Sequence, residues 1–92
     1  MADDGYKSLL FTQTFLETLI SKAFTASERK RIIKALRLLD DNERHPSLRV
    51  HELRGDLGGI WSVSASKELR VTFERLGETK KLMLTCSHHY GN

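Results

Sequence analysis

The stretch Leu69-Arg70-Val71-Thr72-Phe73-Glu74 alternates apolar and polar side chains at every residue. Because successive side chains of a β-strand point to opposite faces, this pattern predicts a strand with one buried face and one open face. Arg70 is then expected on the open face, opposite Leu69, Val71 and Phe73. The sheet to which this strand belongs should therefore present one face to a core and the other to solvent.

The same alternation recurs elsewhere between Pro46 and the end of the chain. Each recurrence predicts another strand with one apolar face, and glycine-rich or polar turns separate the strands. The apolar members are expected to be Leu48 and Val50, then Trp61, Val63 and Ala65, and finally Leu82, Leu84 and Cys86, with Arg49, His51, Ser62, Ser64, Met83 and Thr85 opposite them. Three closely spaced strands with short loops favour an antiparallel meander.

Before Pro46 the apolar residues follow a helical period instead. A first strand is expected around Leu9-Leu10-Phe11, then a helix after Thr14, which has capping-box spacing to Glu17. Ser27 is expected to cap a second helix. The buried faces are predicted to comprise Phe15, Leu16, Leu19, Ile20, Ala23 and Phe24 in the first helix, and Ile32, Ile33, Leu36 and Leu39 in the second. The short link predicts an antiparallel hairpin that covers the apolar face of the sheet.

Length and composition limit the classes of protein to which the chain can belong. With 92 residues it is expected to form one domain spanning residues 1–92. Its 15 Lys and Arg against 12 Asp and Glu give a net charge of +3, which favours a polyanionic partner without requiring one. The lone Cys86, the lack of a secretory signal at Met-Ala-Asp-Asp and the lack of a membrane-spanning apolar run lead us to expect a cytoplasmic protein with no membrane contact.

The ending Cys86-Ser87-His88-His89-Tyr90-Gly91-Asn92 holds two of the four histidines beside a tyrosine. An imidazole exchanges protons near neutral pH, and a phenol adds a second donor or acceptor. By parity, Arg70 and His51 belong to the uncovered face, near which this ending leaves the last strand. Three distant parts of the chain are therefore predicted to meet in one shallow basic groove.

The run His51-Glu52-Leu53-Arg54-Gly55-Asp56-Leu57-Gly58-Gly59-Ile60-Trp61-Ser62, the later Leu69-Arg70-Val71-Thr72-Phe73 and the His-Tyr ending together resemble the RelE/ParE superfamily of bacterial toxins. The YoeB and YafQ branches look most similar, since they carry a Leu-Lys-Gly segment, a Gly-aromatic strand entry, an arginine before alternating apolar residues and a histidine near the end. The resemblance covers almost the entire chain. It implies an α+β, RelE-like fold: an N-terminal strand, a two-helix antiparallel hairpin, then a three-stranded antiparallel meander with the helices on one face.

The resemblance also implies an activity. Such toxins are endoribonucleases that cut mRNA in the decoding site of the ribosome, and a cognate antitoxin protein holds them inactive. The ribose 2′-hydroxyl attacks the adjacent phosphorus, leaving a 2′,3′-cyclic phosphate and a 5′-hydroxyl, with no metal and no cofactor. This reaction needs a base for the 2′-hydroxyl, a cation for the charge that develops on phosphorus, and an acid for the leaving oxygen.

Matching positions carry these roles over to the present chain. His51 stands where YafQ-like members have histidine and YoeB-like members have glutamate, which implies a general base. Arg70 matches the arginine that contacts the scissile phosphate, and its planar fork of donors suits phosphate oxygens.

The ending supplies the remaining roles. His89 and Tyr90 align with the His-Tyr end of YoeB, which makes His89 the general acid and Tyr90 an orienting or base-stacking group. A one-residue shift of register would give the acid's role to His88 instead. Candidate contacts with the RNA backbone are Arg54, Lys67 and Arg49.

Plainer interpretations stay open for these residues. His51 is also consistent with a surface imidazole on an edge strand, and Arg70 with a solvated strand residue paired with Glu74 or Glu68. The run Arg29-Lys30-Arg31 and the following Lys34 are typical of the wet face of a helix, although ribosomal RNA would also attract them.

Two other functions fit parts of the pattern. A ParE-like toxin shares the fold and inhibits DNA gyrase by binding, but such members usually lack the base and the terminal His-Tyr. A metal site built from Cys86, His51 and either His88 or His89 is disfavoured, because adjacent strand residues point to opposite faces and no metal-binding spacing is present.

Overall fold

The computed structural model describes residues 5–89. In chain order the elements are β1 (Leu9–Phe11), α1 (Gln13–Leu19), α2 (Ala26–Asp41), β2 (His51–Glu52), β3 (Ile60–Ser66), β4 (Leu69–Leu76) and β5 (Lys80–His88). Two short 3₁₀ turns, Pro46–Leu48 and Gly55–Leu57, flank β2. The α+β class and the predicted order of strand, two helices and sheet are confirmed.

One mixed sheet runs through the molecule in the order β1-β5-β4-β3-β2. The consecutive strands β3, β4 and β5 pair antiparallel, as the meander predicts. The first strand adds to one edge of the meander by pairing parallel with β5, with Leu9 opposite Lys81. The short β2 adds to the other edge, antiparallel to β3. The strand β4 is therefore the middle of the sheet.

Both helices lie on one face of the sheet and share its core. Burial along β4 alternates as its sequence predicts, since Leu69, Val71 and Phe73 are at most 1% exposed. The helical side of this core comprises Phe15, Leu19, Phe24, Ile32, Ala35, Leu36 and Leu39. Neither helix in residues 5–89 is long and apolar enough to cross a membrane.

The helix caps differ from the predicted ones. Thr12 caps α1 by accepting a hydrogen bond from the Phe15 amide at 3.0 Å, and its hydroxyl also donates to the Met83 carbonyl of β5. Thr25 caps α2, in a complete capping box with Glu28. The expected caps at Thr14 and Ser27 are therefore wrong. A capping box needs Glu or Gln three residues after the cap, and Ser27 has Lys30 at that position.

The segment Leu48–Val50 is not a strand. Pro46 starts a 3₁₀ turn, for which its fixed φ is suited, and Arg49 ends that turn in the left-handed region at φ 48°. Pairing with β3 begins only at His51. The predicted buried faces of the helices are also wrong in part, because Ile33 is 39% exposed, Leu16 48% and Ile20 77%, and Ala23 is exposed as well.

The faces of β5 are assigned wrongly by simple alternation. Thr72 pairs with Thr85 but the next residue, Phe73, pairs with Met83, so Leu84 is the extra residue of a β-bulge. Met83 before the bulge and Cys86 after it are both buried. The expected face of Leu82, Leu84 and Cys86 is therefore split, because a bulge reverses the parity of every later residue.

A charged cluster closes the end of the covered face nearest the β4–β5 turn. Glu43 accepts two hydrogen bonds from Arg75, at 3.1 and 2.7 Å, and pairs with Lys81 at 3.1 Å. The Arg75 guanidinium lies 4.3 Å from the centre of the Trp61 ring. The hydrogen bonds from Arg75 lower the pKa of Glu43 from 4.5 to about 2.

We predict that Glu43→Gln destabilises the protein by about 2 kcal/mol at pH 7, because the Lys81 ammonium, only 9% exposed, loses its carboxylate. The partial exposure of Glu43 and Arg75 keeps this figure below that of a fully buried pair. Urea unfolding measures the effect, and Glu78→Gln in the exposed β4–β5 turn, expected within about 0.5 kcal/mol of wild type, is the control.

The effect should depend on pH. A lowered carboxyl pKa contributes stability that is complete above the unfolded pKa near 4.5 and is lost as the pH falls through the folded pKa of about 2. The difference between wild type and Glu43→Gln should therefore shrink between pH 5 and pH 2. An equal difference at both ends would contradict this account of the ion pair.

Candidate active site

The uncovered face of the sheet carries two rows of polar residues. Residues paired directly across antiparallel strands share a face, so the pairing places His51, Ser62, Thr72 and Thr85 in one row across β2 to β5. The next row comprises Ser64, Arg70 and Ser87. At about 4.8 Å per strand, β2 and β4 lie about 10 Å apart across the sheet. Arg70 therefore lies between the strand that carries His51 and the end of β5.

His51 is exposed on β2, and one ring nitrogen is fixed. Its Nδ1 lies 2.8 Å from the Arg49 carbonyl oxygen. Because a carbonyl only accepts, Nδ1 carries the proton in the neutral ring and Nε2 keeps its lone pair. The left-handed backbone of Arg49 belongs to the turn that aims this carbonyl back at the ring. His51 is thus held in the tautomer that can take a proton at Nε2.

Arg70 is half-buried, and one end of its guanidinium is anchored. Nη1 donates to the carbonyl oxygens of Ser66, Lys67 and Leu69, at 2.7, 3.2 and 3.1 Å, and lies 3.3 Å from the Ser64 hydroxyl. Among residues 5–89, no group accepts a hydrogen bond from its Nε or Nη2. These two nitrogens form a planar fork that matches two oxygens of a phosphate. Neither Glu68 nor Glu74 pairs with Arg70.

The two histidines at the end of β5 have different surroundings. His88 lies on the helical side, where its Nε2 is 3.0 Å from Glu28 Oε2 and its ring stacks on Phe24 at 4.9 Å. His89 is exposed, two residues after Ser87, and its amide donates to the Glu68 carbonyl at 2.7 Å. The placement favours His89 over His88 for a role on the open face. Tyr90 lies outside the described residues.

The bulge at Leu84 determines which residues at the end of β5 are covered by the helices. Regular alternation from the buried Met83 would place Thr85, Ser87 and His89 on the covered face. The extra residue reverses this, so that Cys86 and His88 are covered instead. The predicted grouping of Met83 with Thr85 is therefore wrong, since Met83 is buried and Thr85 is exposed.

A cavity of about 850 Å³ adjoins Arg70 between α2, the Pro46–Leu48 turn and the β3–β4 turn. Among residues 5–89, all the charged residues that line it are cations: Arg31, Lys34, Arg49, Lys67 and Arg70. It thus includes the candidate RNA contacts Arg49 and Lys67. Arg54 is exposed beside the Gly55–Leu57 turn and does not line this cationic groove.

Arg31 and Lys34 of α2 also line the groove, although the sequence did not distinguish them from the other cations of that helix. Arg31 and Lys34 are three residues apart on a helix and therefore share a face. This spacing was the available signal, but it does not tell which side of the buried stripe borders the sheet. The neighbouring Arg29 has a structural role, because its Nη1 donates to the carbonyl oxygens of Ser21 and Phe24 at 3.3 and 2.7 Å.

Of the three candidate catalytic side chains, His51 and Arg70 share the open face by strand pairing, and His89 is exposed just beyond the end of β5. Within residues 5–89, no hydrogen bond or ion pair joins any two of His51, Arg70 and His89. Nor do the described residues include a group of three His, Cys, Asp or Glu side chains that could hold a metal ion. Cys86 is buried, and burial raises its thiol pKa to about 11, which makes a thiolate ligand costly.

Comparison with solved structures identifies the fold. A YoeB/ParE toxin from Agrobacterium tumefaciens superposes with a TM-score of 0.72 at 20% identity, over 91% of this chain and 100% of that one. The RelBE2 toxin-antitoxin complex of Mycobacterium tuberculosis gives 0.61 at 22% identity, over 92% and 100%. The E. coli DinJ-YafQ complex gives 0.67 at 13% identity, over 92% and 99%.

No protein-family profile and no functionally described protein sequence matches the chain. The likeness therefore rests on three-dimensional structure. It confirms that the chain has the fold of the RelE/ParE toxins, including the YoeB and YafQ types, as the sequence predicts.

Proposed function

We propose that this chain is the toxin of a type II toxin-antitoxin pair and that it cleaves mRNA on the ribosome. The observation that carries the proposal is the position of Arg70. Its guanidinium is anchored at one end, offers a planar fork at the other and lies between His51 and the strand end that carries His89. The shared fold supports a toxin, and the three side chains supply the groups that RNA cleavage needs.

His51 acts as the general base. Its Nε2 takes the proton of the ribose 2′-hydroxyl, and the oxygen then attacks the adjacent phosphorus. The hydrogen bond from Nδ1 to the Arg49 carbonyl holds the ring while the imidazolium forms.

Arg70 and His89 supply the other two groups that the reaction needs, a cation and an acid. The Arg70 fork binds the nonbridging phosphate oxygens, whose negative charge increases as the fifth bond forms. Its anchoring by three carbonyl oxygens means that the cation need not reorganise when the charge develops. His89 donates a proton to the leaving 5′-oxygen, while Tyr90 is proposed to orient it or to stack on a base. The products are a 2′,3′-cyclic phosphate and a 5′-hydroxyl.

The cationic groove binds the RNA backbone next to the scissile phosphate. Since Arg70 belongs to both the open face and the groove lining, a strand held at Arg70 continues past Lys67 and Arg49. Backbone contacts of this kind position a substrate without reading its sequence. Arg54, which lies outside the groove, is proposed to contact RNA elsewhere on the ribosome.

A cognate antitoxin is proposed as the protein partner, within the bacterial cytoplasm. Two of the structures with this fold are toxin-antitoxin complexes, RelBE2 and DinJ-YafQ. An antitoxin that covers the open face or the groove would block access to Arg70, which suffices for inhibition. The fold is also that of a ParE-type toxin, so binding to DNA gyrase without cleavage is the alternative that an experiment must separate.

We predict that the purified protein cleaves mRNA on translating ribosomes, and that His51→Ala, Arg70→Ala and His89→Ala each slow cleavage about 10²- to 10⁴-fold, since each loses an acid, a base or the phosphate cation. Mapping of mRNA 5′ ends measures the rates. A chelator selective for transition metals, with Mg²⁺ retained for the ribosome, should leave the cleavage rate unchanged.

The remaining described histidine provides the matched control. His45→Asn keeps a side-chain acceptor for the Ser47 amide at the start of the 3₁₀ turn and should cleave at the wild-type rate. Wild-type rates in all three site variants would refute the assigned roles. Growth arrest in bacteria with no cleaved mRNA would favour gyrase binding, and loss of cleavage with the chelator would favour a metal site.

We also predict that the groove determines part of the salt dependence of RNA binding. Arg31→Gln/Lys34→Gln should flatten the slope of log binding constant against log salt by about 1.4 for a single-stranded RNA, or about 0.7 per lost phosphate contact. Lys22→Gln/Lys30→Gln removes the same charge from exposed positions outside the groove and should change the slope little. Equal changes for the two pairs would indicate nonspecific attraction.

A further inference from the structure

The end of β5 is fixed to the start of α2 by the side chain of His88. The His88 Nε2–H donates to Glu28 Oε2 at 3.0 Å, and the imidazole stacks on Phe24 at 4.9 Å with 24° between the ring planes. Both contacts lie on the helical side of the sheet, where the side chains of His88 and Glu28 are 23% and 24% exposed. The contacting residues precede and begin α2, about 60 positions away in sequence.

This contact lies at the end of the β5 ladder. The last ladder pair of β5 joins His88 to Leu69, so His89 is the first residue beyond the ladder. Strand ends without a fixed side chain fray readily. Within residues 5–89, the backbone at His89 makes one hydrogen bond beyond the ladder, from its amide to the Glu68 carbonyl in the β3–β4 turn.

Fixing His88 also fixes the direction of His89. Adjacent side chains of an extended strand point to opposite faces, so an imidazole held against the helices turns its successor toward the open face. The contacts of His88 and the hydrogen bond to the Glu68 carbonyl therefore hold the end of the strand together. A rotation of the chain there would move His89 away from Arg70 and break both contacts together.

The two carboxylate oxygens of Glu28 accept hydrogen bonds from two places, the start of α2 and the end of β5. Oε1 accepts from the Thr25 amide at 2.9 Å, as the capping box of α2, while Oε2 accepts from His88. The pKa of Glu28 is lowered, first by the Thr25 amide and next by the hydrogen bond with His88. The carboxylate is therefore charged and already oriented by the helix start before it meets the imidazole.

We infer that His88 is a positioning residue: its contacts with Glu28 and Phe24 hold the end of β5 so that His89 faces Arg70. The catalytic consequence rests on the proposed ribonuclease activity, whereas the structural consequence does not. His88 itself makes no proton transfer in this scheme. The contacts that couple the helix start to the active-site end of the chain include a charge-assisted hydrogen bond and a ring stack.

Two substitutions test the contact while sparing the rest of the fold. Glu28→Gln keeps a capping-box residue at the helix start but removes the charge that His88 meets. His88→Phe keeps a ring on Phe24 but removes the hydrogen bond. In the full-length protein, each should speed hydrogen exchange of the His89 amide about tenfold or more, and each should lower kcat by about ten- to a hundredfold with KM little changed.

A variant with both substitutions and a variant of the helix cap serve as further tests. Because both substitutions break one contact, the double variant should be no slower than the worse single variant. Thr25→Ala weakens the helix cap through the Glu28 amide but leaves the Glu28 carboxylate for His88, so its kcat and His89 amide exchange should match wild type even where its melting temperature falls.

The outcomes distinguish the positioning role of His88 from the proposed ribonuclease activity. If the wild type does not cleave mRNA, the proposed function fails while amide exchange still decides the positioning role. Unchanged exchange of the His89 amide in both Glu28→Gln and His88→Phe would overturn the inference. A large loss of kcat in His88→Phe with wild-type kcat in Glu28→Gln would also overturn it, since it would make His88 the general acid.

Discussion

The alternation of β4 is the constraint on which the rest of the molecule depends. Leu69, Val71 and Phe73 are buried against the helices, so the residues between them have to face the other way. A shift of one residue would bury Arg70 and expose three large apolar side chains, at a cost of several kcal/mol. Packing of the core therefore places Arg70, the cation that the proposed chemistry needs, on the open face.

The neighbours of β4 take their faces from it through direct pairing, and two irregularities then adjust the site. The bulge at Leu84 turns the end of β5 so that Cys86 and His88 lie on the core side while Ser87 is exposed on the other face. The left-handed turn at Arg49 stops one edge of the sheet and supplies the carbonyl that holds His51. Bulges and backbone in the left-handed region often mark functional positions, because they re-aim a side chain that a regular strand would misdirect.

Much of this arrangement follows from sequence pattern, and the reasons for the misses are specific. Period two in β4 and the helical period before Pro46 predict the order of elements and the faces of Arg70 and Phe73. The parallel pairing of β1 with β5 joins residues about 70 positions apart, and no local signal records it. The bulge at Leu84 is equally hidden, since Leu82, Leu84 and Cys86 read as a regular apolar face.

The predicted cap of α2 at Ser27 was wrong for a simpler reason: Thr25 has Glu28 as its capping-box partner, and Ser27 has no such partner. Arg31 and Lys34 were predicted only as part of the wet face of a helix, because a helix with cations on most of that face gives no sign of which ones border a groove.

The most direct test of the central claim replaces the proposed nucleophile. Once the cut position on a short mRNA is mapped on the ribosome, the nucleotide that precedes it is synthesised with a 2′-deoxyribose and translated under the same conditions. The account predicts that cleavage at that position disappears while binding of the protein to the ribosome is unchanged, because the oxygen from which His51 would take a proton is missing. Undiminished cleavage of the 2′-deoxy mRNA would contradict it, since the attack on phosphorus would then have to come from another oxygen.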